Sequence, residues 1–277
     1  HVIKGLQIDR AECSNIGLIS TIQDGKILNL VLQSPDVSGG GPKIGALAGT
    51  AVSSELANII VRDGLVNSTN PLTGRHVGGL VGNIEDTEVV GTGVDSVVTS
   101  ARSNNGGIIG RNTNGVVRNS WENIALSARR SNHGGIVGYN ASSDAEISNC
   151  GVFAIFSTLG PNTGGIAGLN DGHINRCYAT GEVFTQHKGA GGIVAVHRPT
   201  SEIKHTYWDL AISPNPVRRA SRLGDGMITD VHGVETADLQ GTEAVNTLEV
   251  FDFTDEWEAP TDSKTHPKPS QLAEMGD

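Results

Sequence analysis

A short glycine-rich phrase recurs seven times in this chain, and its spacing leaves few possible folds. Clean copies stand at 78–82, 106–110, 134–138 and 164–168, and variants begin at 16, 44 and 191. The second glycine of the phrase, or its equivalent, falls at 17, 45, 79, 107, 135, 165 and 192, so the steps are 28, 34, 28, 28, 30 and 27 residues. A period of roughly 20 to 50 residues is typical of a solenoid, in which each unit buries its apolar face only against its neighbours.

A second, strand-like phrase lies about halfway between successive glycine phrases. Both phrases alternate apolar with small or polar residues, and this period of two places one set of side chains inside a coil of β-strands. Aligning the second phrases predicts three columns that stack along the solenoid axis. The first inward column is Ile27, Leu56, Val89, Val117, Ile147, Ile174 and Ile203, the second is Leu30, Ile59, Thr92, Ser120, Cys150, Cys177 and Thr206, and an amide column able to form a hydrogen-bonded ladder is Asn29, Asn58, Asn119 and Asn149.

The paired glycines predict a special place in the backbone. Glycine is disfavoured inside an ordinary strand, so its recurrence at one place indicates either a crowded corner or a positive φ angle. Substitution there is expected to impair folding.

Composition fits a narrow solenoid and bears on partners. Only 4% of the residues are aromatic while 37 of 277 are glycine, whereas a globular enzyme usually carries more large side chains. The net charge of −10 argues against nucleic acid and against an anionic membrane surface, since phosphate binding needs clustered Lys and Arg. The chain has no run of 18 apolar residues, so we expect no membrane span in it.

Two of the three cysteines occupy equivalent positions one coil apart. Cys150 and Cys177 would lie about one strand spacing apart, roughly 4.8 Å, which would permit a disulfide. Reduced thiols stacked as small core residues are the favoured interpretation, because cysteine packs well in such interiors. Cys13 has no partner in this pattern.

The pattern divides the chain into three parts. Residues 1–210 are predicted to form the solenoid. Residues 211–235 contain two prolines, three arginines and several glycines, and are interpreted as an irregular loop or insertion. Residues 236–277 are expected to form a C-terminal cap and tail, with Thr236 as the N-cap of a helix. The tail from Pro260 is predicted to be a linker or a strap along the coils.

Particular residues carry a family resemblance. The glycine phrase followed by His173–Gly181, with Ile-Asn-Arg-Cys-Tyr-Ala-Thr-Gly at its end, resembles the GLUG repeat of bacterial surface adhesins and of the non-catalytic region of immunoglobulin A1 proteases. Tyr207–Asp209 and Thr236–Gln240 resemble segments that close such arrays, and the likeness extends from residue 1 to about 260. It implies a right-handed parallel β-helix of about seven coils, and a chain that begins in the middle of a coil of a longer protein.

Aromatic side chains are the first candidates for ligand contact. Trp121, Tyr178 and Tyr207 share an outward column, with Gly151 leaving a gap between the first two. Flat rings of this kind could stack on a sugar. The alternative is that the rings only shield the sheet or meet a loop.

Carboxylates and imidazoles are the next candidates. Asp24, Asp86, Asp144 and Asp171 are interpreted as one column of turn residues. A glycan-cleaving enzyme needs converging carboxylates, and calcium could bind neighbouring turn carboxylates, but no EF-hand or related calcium motif occurs. His76, His133 and His187 precede glycine phrases and are interpreted as surface residues in preference to a metal site. No catalytic residue, metal site or cofactor is predicted, calcium remaining possible.

The resemblance implies a non-catalytic extracellular module on a bacterial surface. The His-Glu-x-x-His zinc motif of the protease members lies in a separate domain and is missing here. We expect an adhesion scaffold that presents an extended β-face to host or cell-surface glycan or protein, with self-association possible. The two alternatives are a structural subunit of an extracellular filament or sheath, and a polysaccharide-processing enzyme.

Overall fold

The chain winds into a β-solenoid of about eight turns followed by a small C-terminal cap. The structure is a computed structural model that describes residues 1–100, 102–185, 190–211 and 219–270. Within the solenoid every strand pairing is parallel, and strands of successive coils lie beside each other. The prediction of an all-β parallel solenoid is confirmed, with eight turns where the sequence indicated about seven.

Three parallel sheets run along the axis. The long sheet contains Val2–Lys4, Gln7–Arg10, Lys26–Gln33, Asp36–Gly39, Glu55–Ser68, Glu88–Val90, Gly93–Ser100, Val116–Arg118, Trp121–Ala128, Glu146–Ser148, Gly151–Thr158, His173–Asn175, Tyr178–Thr185, Glu202–Asp209 and Met227–Val234. The glycine sheet contains Val77–Gly78, Asn105–Gly106, His133–Gly134, Thr163–Gly164 and Ala190–Gly191. The third sheet contains Ile19–Gln23, Ala48–Val52, Val81–Glu85, Ile109–Thr113, Val137–Asn140, Ala167–Asn170, Val194–His197 and Ser221–Gly224.

The predicted inward columns form the core. Leu56, Val89 and Val117 are paired across neighbouring coils and fully buried. The second column is equally buried and changes along the axis from Leu30 and Ile59 to hydroxyls and thiols. Aliphatic stacking therefore holds the coils together through contacts between neighbours, as in other solenoids.

The amide column marks a sharp bend in every coil. One residue per coil in this column has a left-handed φ of 46° to 59°, namely Asn29, Asn58, Gly91, Asn119, Asn149, Arg176, His205 and Asp230. Asparagine and glycine adopt this region more readily than other residues, which explains their recurrence. The predicted ladder forms at its first step, where Asn58 Nδ2 donates to Asn29 Oδ1 at 3.1 Å.

Close packing, not positive φ, explains the paired glycines. Among the described residues, the glycines with a positive φ lie outside the phrase, at 5, 91, 181, 224 and 241. A Cβ on Gly107 would lie 2.1 Å from the carbonyl oxygen of Gly135 in the next coil, and a Cβ on Gly135 would lie 2.5 Å from that of Gly165. Of the two explanations that the sequence allowed, the crowded corner is correct.

A buried amide ladder was not anticipated from the sequence. Asn112 Nδ2 donates to Asn140 Oδ1 at 2.9 Å, and Asn140 Nδ2 donates to Asn170 Oδ1 at 2.8 Å. All three side chains are fully buried, and each also donates to a backbone carbonyl of its own turn. The ladder thus satisfies polar groups that would otherwise be costly to bury.

Residues 221–234 lie in the stretch that the sequence predicted to be an irregular loop or insertion. They form a further coil in place of an irregular insertion, since Ser221 pairs with Val194 and Met227 pairs with Glu202. Arg219 and Ala220 stand where earlier coils have the second glycine and the apolar residue after it, since the N–H groups of Gly192 and Ile193 donate to their carbonyls. Without the glycine phrase the repeat is not recognisable in the sequence. Residues 212–218 of the predicted loop lie outside the described residues.

The cysteines are free thiols. Cys150 and Cys177 are fully buried, and Cys13 is exposed. Cys150 Sγ donates to the carbonyl of Ser148 at 3.2 Å, and Cys177 Sγ donates to that of Asn175 at 3.3 Å. Burial raises the pKa of the Cys177 thiol, so the stacked-thiol interpretation is confirmed over the disulfide.

The cap lies on the side of the solenoid instead of over its end. It comprises a 3-10 turn at Thr236–Leu239, an α-helix at Gly241–Thr247, and a two-stranded antiparallel ribbon of Trp257–Glu258 with Lys268–Pro269. Glu235, not Thr236, precedes the first turn, and its N–H donates to Asp238 Oδ2 at 3.1 Å. The segment from 260 to 270 follows the coils as a strap, one of the two arrangements expected for it.

Candidate functional site

The outer face of the long sheet carries the predicted aromatic column. Trp121 pairs with Gly151, Gly151 with Tyr178, and Tyr178 with Tyr207. A Cβ on Gly151 would lie 2.8 Å from the Tyr178 ring, so this ring already occupies the gap that the glycine leaves. The predicted alignment is therefore present, but it contains no open slot.

The cap covers most of this column. Tyr178 is 0% exposed and Tyr207 is 6% exposed. The Tyr178 ring centroid lies 5.7 Å from that of Trp257, which in turn lies 4.9 Å from that of Phe251. Tyr178 also donates a hydrogen bond to the carbonyl of Pro267, and its burial raises the pKa of the phenol.

The strap extends this cover to Trp121. Lys268 Nζ lies 4.5 Å from the centre of the Trp121 ring, which is a cation–π contact. Asn149 Nδ2 donates to Glu256 Oε2 at 2.7 Å, and the His266 ring centroid lies 5.6 Å from that of Phe153 with the two rings tilted by 42°. In this column Tyr178 and Tyr207 are therefore buried beneath the cap, whereas Trp121 is half-buried. All three rings contact the C-terminal segment.

An uncovered apolar strip lies beside this column on the same face. It consists of Leu65, Val97, Ala125 and Ile155, which are paired in register across four coils. Leu65 is 37%, Val97 44% and Ile155 42% exposed. With strands about 4.8 Å apart, the strip is roughly 14 Å long. Exposed apolar side chains arranged in contact with each other are typical of interaction surfaces.

A β-bulge opens a groove along one edge of the strip. The pairing of Glu55–Ser68 with Gly93–Ser100 shifts register between Val94 and Ser96, and Asp63 adopts a left-handed φ of 51°. The resulting groove has a volume of about 370 Å³ and is lined by Asp63, Gly64, Asp95, Ser96, Val97, Asn123, Ile124, Ala125 and Ile155. Bulges often redirect side chains in this way near functional surfaces.

Carboxylates surround the strip. Asp36 precedes Leu65 in the column and Glu182 follows Ile155, and all of these side chains are exposed. Asp63 and Asp95 border the groove, and within the described residues neither forms an ion pair. Partial burial and then the nearby Asp63 carboxylate raise the pKa of Asp95, whereas Lys268 opposes this. The rim is thus negative and only partly neutralised.

The predicted aspartate column does not exist as one column. Asp24 and Asp86 occupy equivalent left-handed turns, but Ser53 stands between them, so they lie two coils apart. Asp171 lies one position earlier in its coil, where it accepts from Tyr139 Oη at 2.7 Å. Asp144 lies in a separate turn. These carboxylates do not converge, because the turns differ in length where the sequence alignment assumed equal ones.

Of the histidines before the glycine phrases, His133 is part of the buried structure. His133 is fully buried, accepts at Nδ1 from Asn105 at 3.2 Å, and donates from Nε2 to the Arg130 carbonyl at 2.7 Å. Burial lowers the pKa of both His133 and His76 to about 4. The interpretation as surface residues is wrong for His133. His187 lies outside the described residues, and among those described no cluster of three or more His, Cys, Asp or Glu could hold a metal ion.

One carboxyl group lies buried in the core. Glu122 stands between Val94 and Val152 in an inward column and is 0% exposed. Within the described residues neither of its oxygens has a hydrogen-bond partner. Burial is the main cause that raises its pKa well above the usual range; the nearby backbone N–H of Ile124 opposes this shift, and the Asp95 carboxylate adds to it. Glu122 interrupts an otherwise apolar column. A sequence alignment that included this column would have revealed the interruption.

Replacing Glu122 with valine is expected to stabilise the protein near neutral pH. The pKa of Glu122 is higher in the folded than in the unfolded protein, so the folded protein keeps the carboxyl proton to a higher pH. Stability is therefore lost as the pH rises above about 4.3, the pKa of Glu in the unfolded chain. The free energy of unfolding then falls by up to about 1.4 kcal/mol per pH unit, until the pH reaches the folded-state pKa of Glu122. We expect Glu122→Val to gain about 2 kcal/mol or more at pH 7.5, measured by urea unfolding at pH 5 and pH 7.5.

Glu122→Gln provides the matched control for this prediction. It keeps the side-chain shape and an unpaired polar group but cannot ionise. It should lose the extra pH dependence while gaining less stability than the valine variant. Identical pH dependence in the wild type and in Glu122→Gln would show that Glu122 is not the titrating group.

Comparison with known proteins supports the fold. No family model matches the chain, and a search of curated proteins gives no match. A solved structure does match. It is the "putative immunoglobulin A1 protease from Bacteroides ovatus", with a TM-score of 0.57 and 15% sequence identity over 98% of this chain and 75% of that one. At this identity the likeness concerns the solenoid fold alone, and the GLUG repeat is not established by a family model.

Proposed function

We propose that this chain is a non-catalytic module of a secreted or surface-anchored bacterial protein, and that its long β-face mediates adhesion. The observation that carries the proposal is the exposed apolar strip of Leu65, Val97, Ala125 and Ile155 beside a groove. A solenoid holds such a strip rigidly, because every coil is bonded to both neighbours. The fold shared with a protein named for immunoglobulin A1 is compatible with an extracellular setting.

We also propose that this module has no catalytic activity of its own. Among the described residues, the aspartates considered as a catalytic column lie in separate turns. The buried Glu122 faces the core instead of a groove. In the same part of the chain no helix is long and apolar enough to span a membrane.

The test is adhesion of beads coated with the purified protein to host epithelial cells, matrix proteins and a glycan array. We expect wild-type beads to be retained and a Val97→Ser/Ile155→Ser variant to lose most of this retention. Leu28→Ser/Leu159→Ser is the matched control, because these leucines are also 44% and 46% exposed but lie outside the strip. Wild-type beads that bind none of the three surfaces would refute the proposal.

A filament subunit is the second candidate, favoured by the last coil. Leu223 is 50%, Met227 60% and Ile228 46% exposed there, and within the described residues the strands of this coil have a partner on one side only. Unpaired strand edges are templates for further strands. Sedimentation over a wide concentration range separates the two candidates, since end-to-end assembly would grow with concentration whereas an adhesin would not.

A further inference from the structure

We infer that the apolar strip and its acidic rim bind a basic segment of a partner protein, one with apolar side chains flanked by lysine or arginine. The inference rests on the proposed function and specifies its partner class. Protein and glycan are otherwise equally compatible with an adhesive face. The choice between them follows from what surrounds the strip.

The first step concerns the apolar strip itself. Leu65, Val97, Ala125 and Ile155 form a continuous ladder, and Phe184, which is 47% exposed, stands on the next coil beside it. The strip itself consists of aliphatic side chains with the single ring of Phe184 beside it, whereas the Tyr178 and Tyr207 rings, which could have stacked on a sugar, lie under the cap. Aliphatic and aromatic side chains of a protein segment fit such a strip, and burying them there lowers the free energy of the complex.

The second step is charge. Asp36 and Glu182 stand at the two ends of the ladder, and Asp63 and Asp95 stand along one side. Lys268 of the strap is the cation that lowers the pKa of Asp95, and its ammonium group already contacts Trp121. Cationic side chains of a partner placed at these four positions would be attracted to the rim, whereas an acidic glycan would be repelled.

The third step concerns the remaining side of the strip. The column next to it contains Asn67, Thr99, Ser127 and Ser157, and Thr99 Oγ1 donates to Asn67 Oδ1 at 2.6 Å. This side is neutral, so the charge of the surface is concentrated on one edge and at the ends. A second copy of the same face would bring like charges together, which disfavours self-association through the strip.

The test measures binding of a labelled synthetic peptide with leucine on one face and lysine beside it. We expect binding to the full chain that weakens with added salt. The same peptide with glutamate in place of lysine should not bind. Asp63→Asn/Asp95→Asn and Val97→Ser/Ile155→Ser should each weaken binding about tenfold.

A matched pair of aspartates controls for the overall negative charge. Asp24→Asn/Asp86→Asn removes the same charge from turns outside the strip, and asparagine tolerates the left-handed φ of these residues. Binding should stay within about twofold of wild type in this variant. An equal loss in both aspartate variants, or no binding of the lysine peptide, would overturn the inference.

The two proposals fail in distinguishable ways. If coated beads adhere to cells or glycans but the lysine peptide does not bind, the partner class is wrong while the adhesive function stands. If the peptide binds through Asp63 and Asp95 but the beads adhere to nothing, the basic-segment site stands and the adhesive function fails.

Discussion

Alanine at Gly107 is expected to prevent the solenoid from forming its middle coils. A Cβ there would lie 2.1 Å from the carbonyl oxygen of Gly135 and 2.9 Å from Ile124 Cδ1. The first of these atoms is backbone that accepts a hydrogen bond from the Gly107 N–H at 2.7 Å, so it cannot move aside without breaking the stack. We expect a loss of about 4 kcal/mol or more.

The effect should spread because coil stability depends on neighbours. In a solenoid a defect at one interface uncouples the repeats on either side. The measurement is soluble yield together with the urea midpoint followed by circular dichroism. A Gly107→Ala protein with the wild-type midpoint would contradict the crowded-corner explanation.

Gly5 provides the control for this substitution. It has a φ of +63°, and a Cβ there would have no atom within 4 Å. Gly5→Ala should therefore cost only the strain of the left-handed backbone, about 1–2 kcal/mol. The difference between the two variants isolates the close approach between coils from general effects of removing a glycine.

Removal of the Trp257 side chain is expected to release the cap from the solenoid. Trp257 is 1% exposed and packs between Tyr178 and Phe251. Trp→Ala in such a cluster costs about 3–5 kcal/mol. The cluster is separate from the solenoid core, so the coils should stay folded while the cap detaches.

Limited proteolysis measures this release. Trp257→Ala should be cleaved rapidly after about residue 235, with circular dichroism of the strands retained and the Tyr178 and Tyr207 rings newly accessible to solvent. Glu258→Ala alters an exposed residue of the same ribbon and should be cleaved at the wild-type rate. Equal protection of both variants would show that the cap is held by other contacts.

Much of the fold could be predicted from local pattern. The inward columns through Leu56, Val117 and Ile147 are visible because a period of two and a period near 28 residues coincide. The last coil was missed because Arg219 and Ala220 stand where the phrase has its second glycine and the following isoleucine. A coil can form without the glycine phrase when its strands pair with those of the preceding coil.

The candidate site was less predictable. Alignment placed Trp121, Tyr178 and Tyr207 in one column correctly, but it contained no sign that Phe251 and Trp257 would pack on them. Such contacts join residues more than 40 positions apart without any periodic relation. The groove at Asp63 and Asp95 arises from a register shift of one strand pair, which spacing alone does not reveal.

By itself, the sequence determined the stacked parallel architecture, the inward columns and the recurrence of glycine at one place in each coil, because these features repeat and each depends only on the coil beside it. The tertiary structure alone decided which part of the outer face is open. The cap covers the aromatic column and leaves Val97 and Ile155 exposed. Burial of Tyr178 depends on side chains brought from the far end of the chain, and such long-range packing has no period to be recognised.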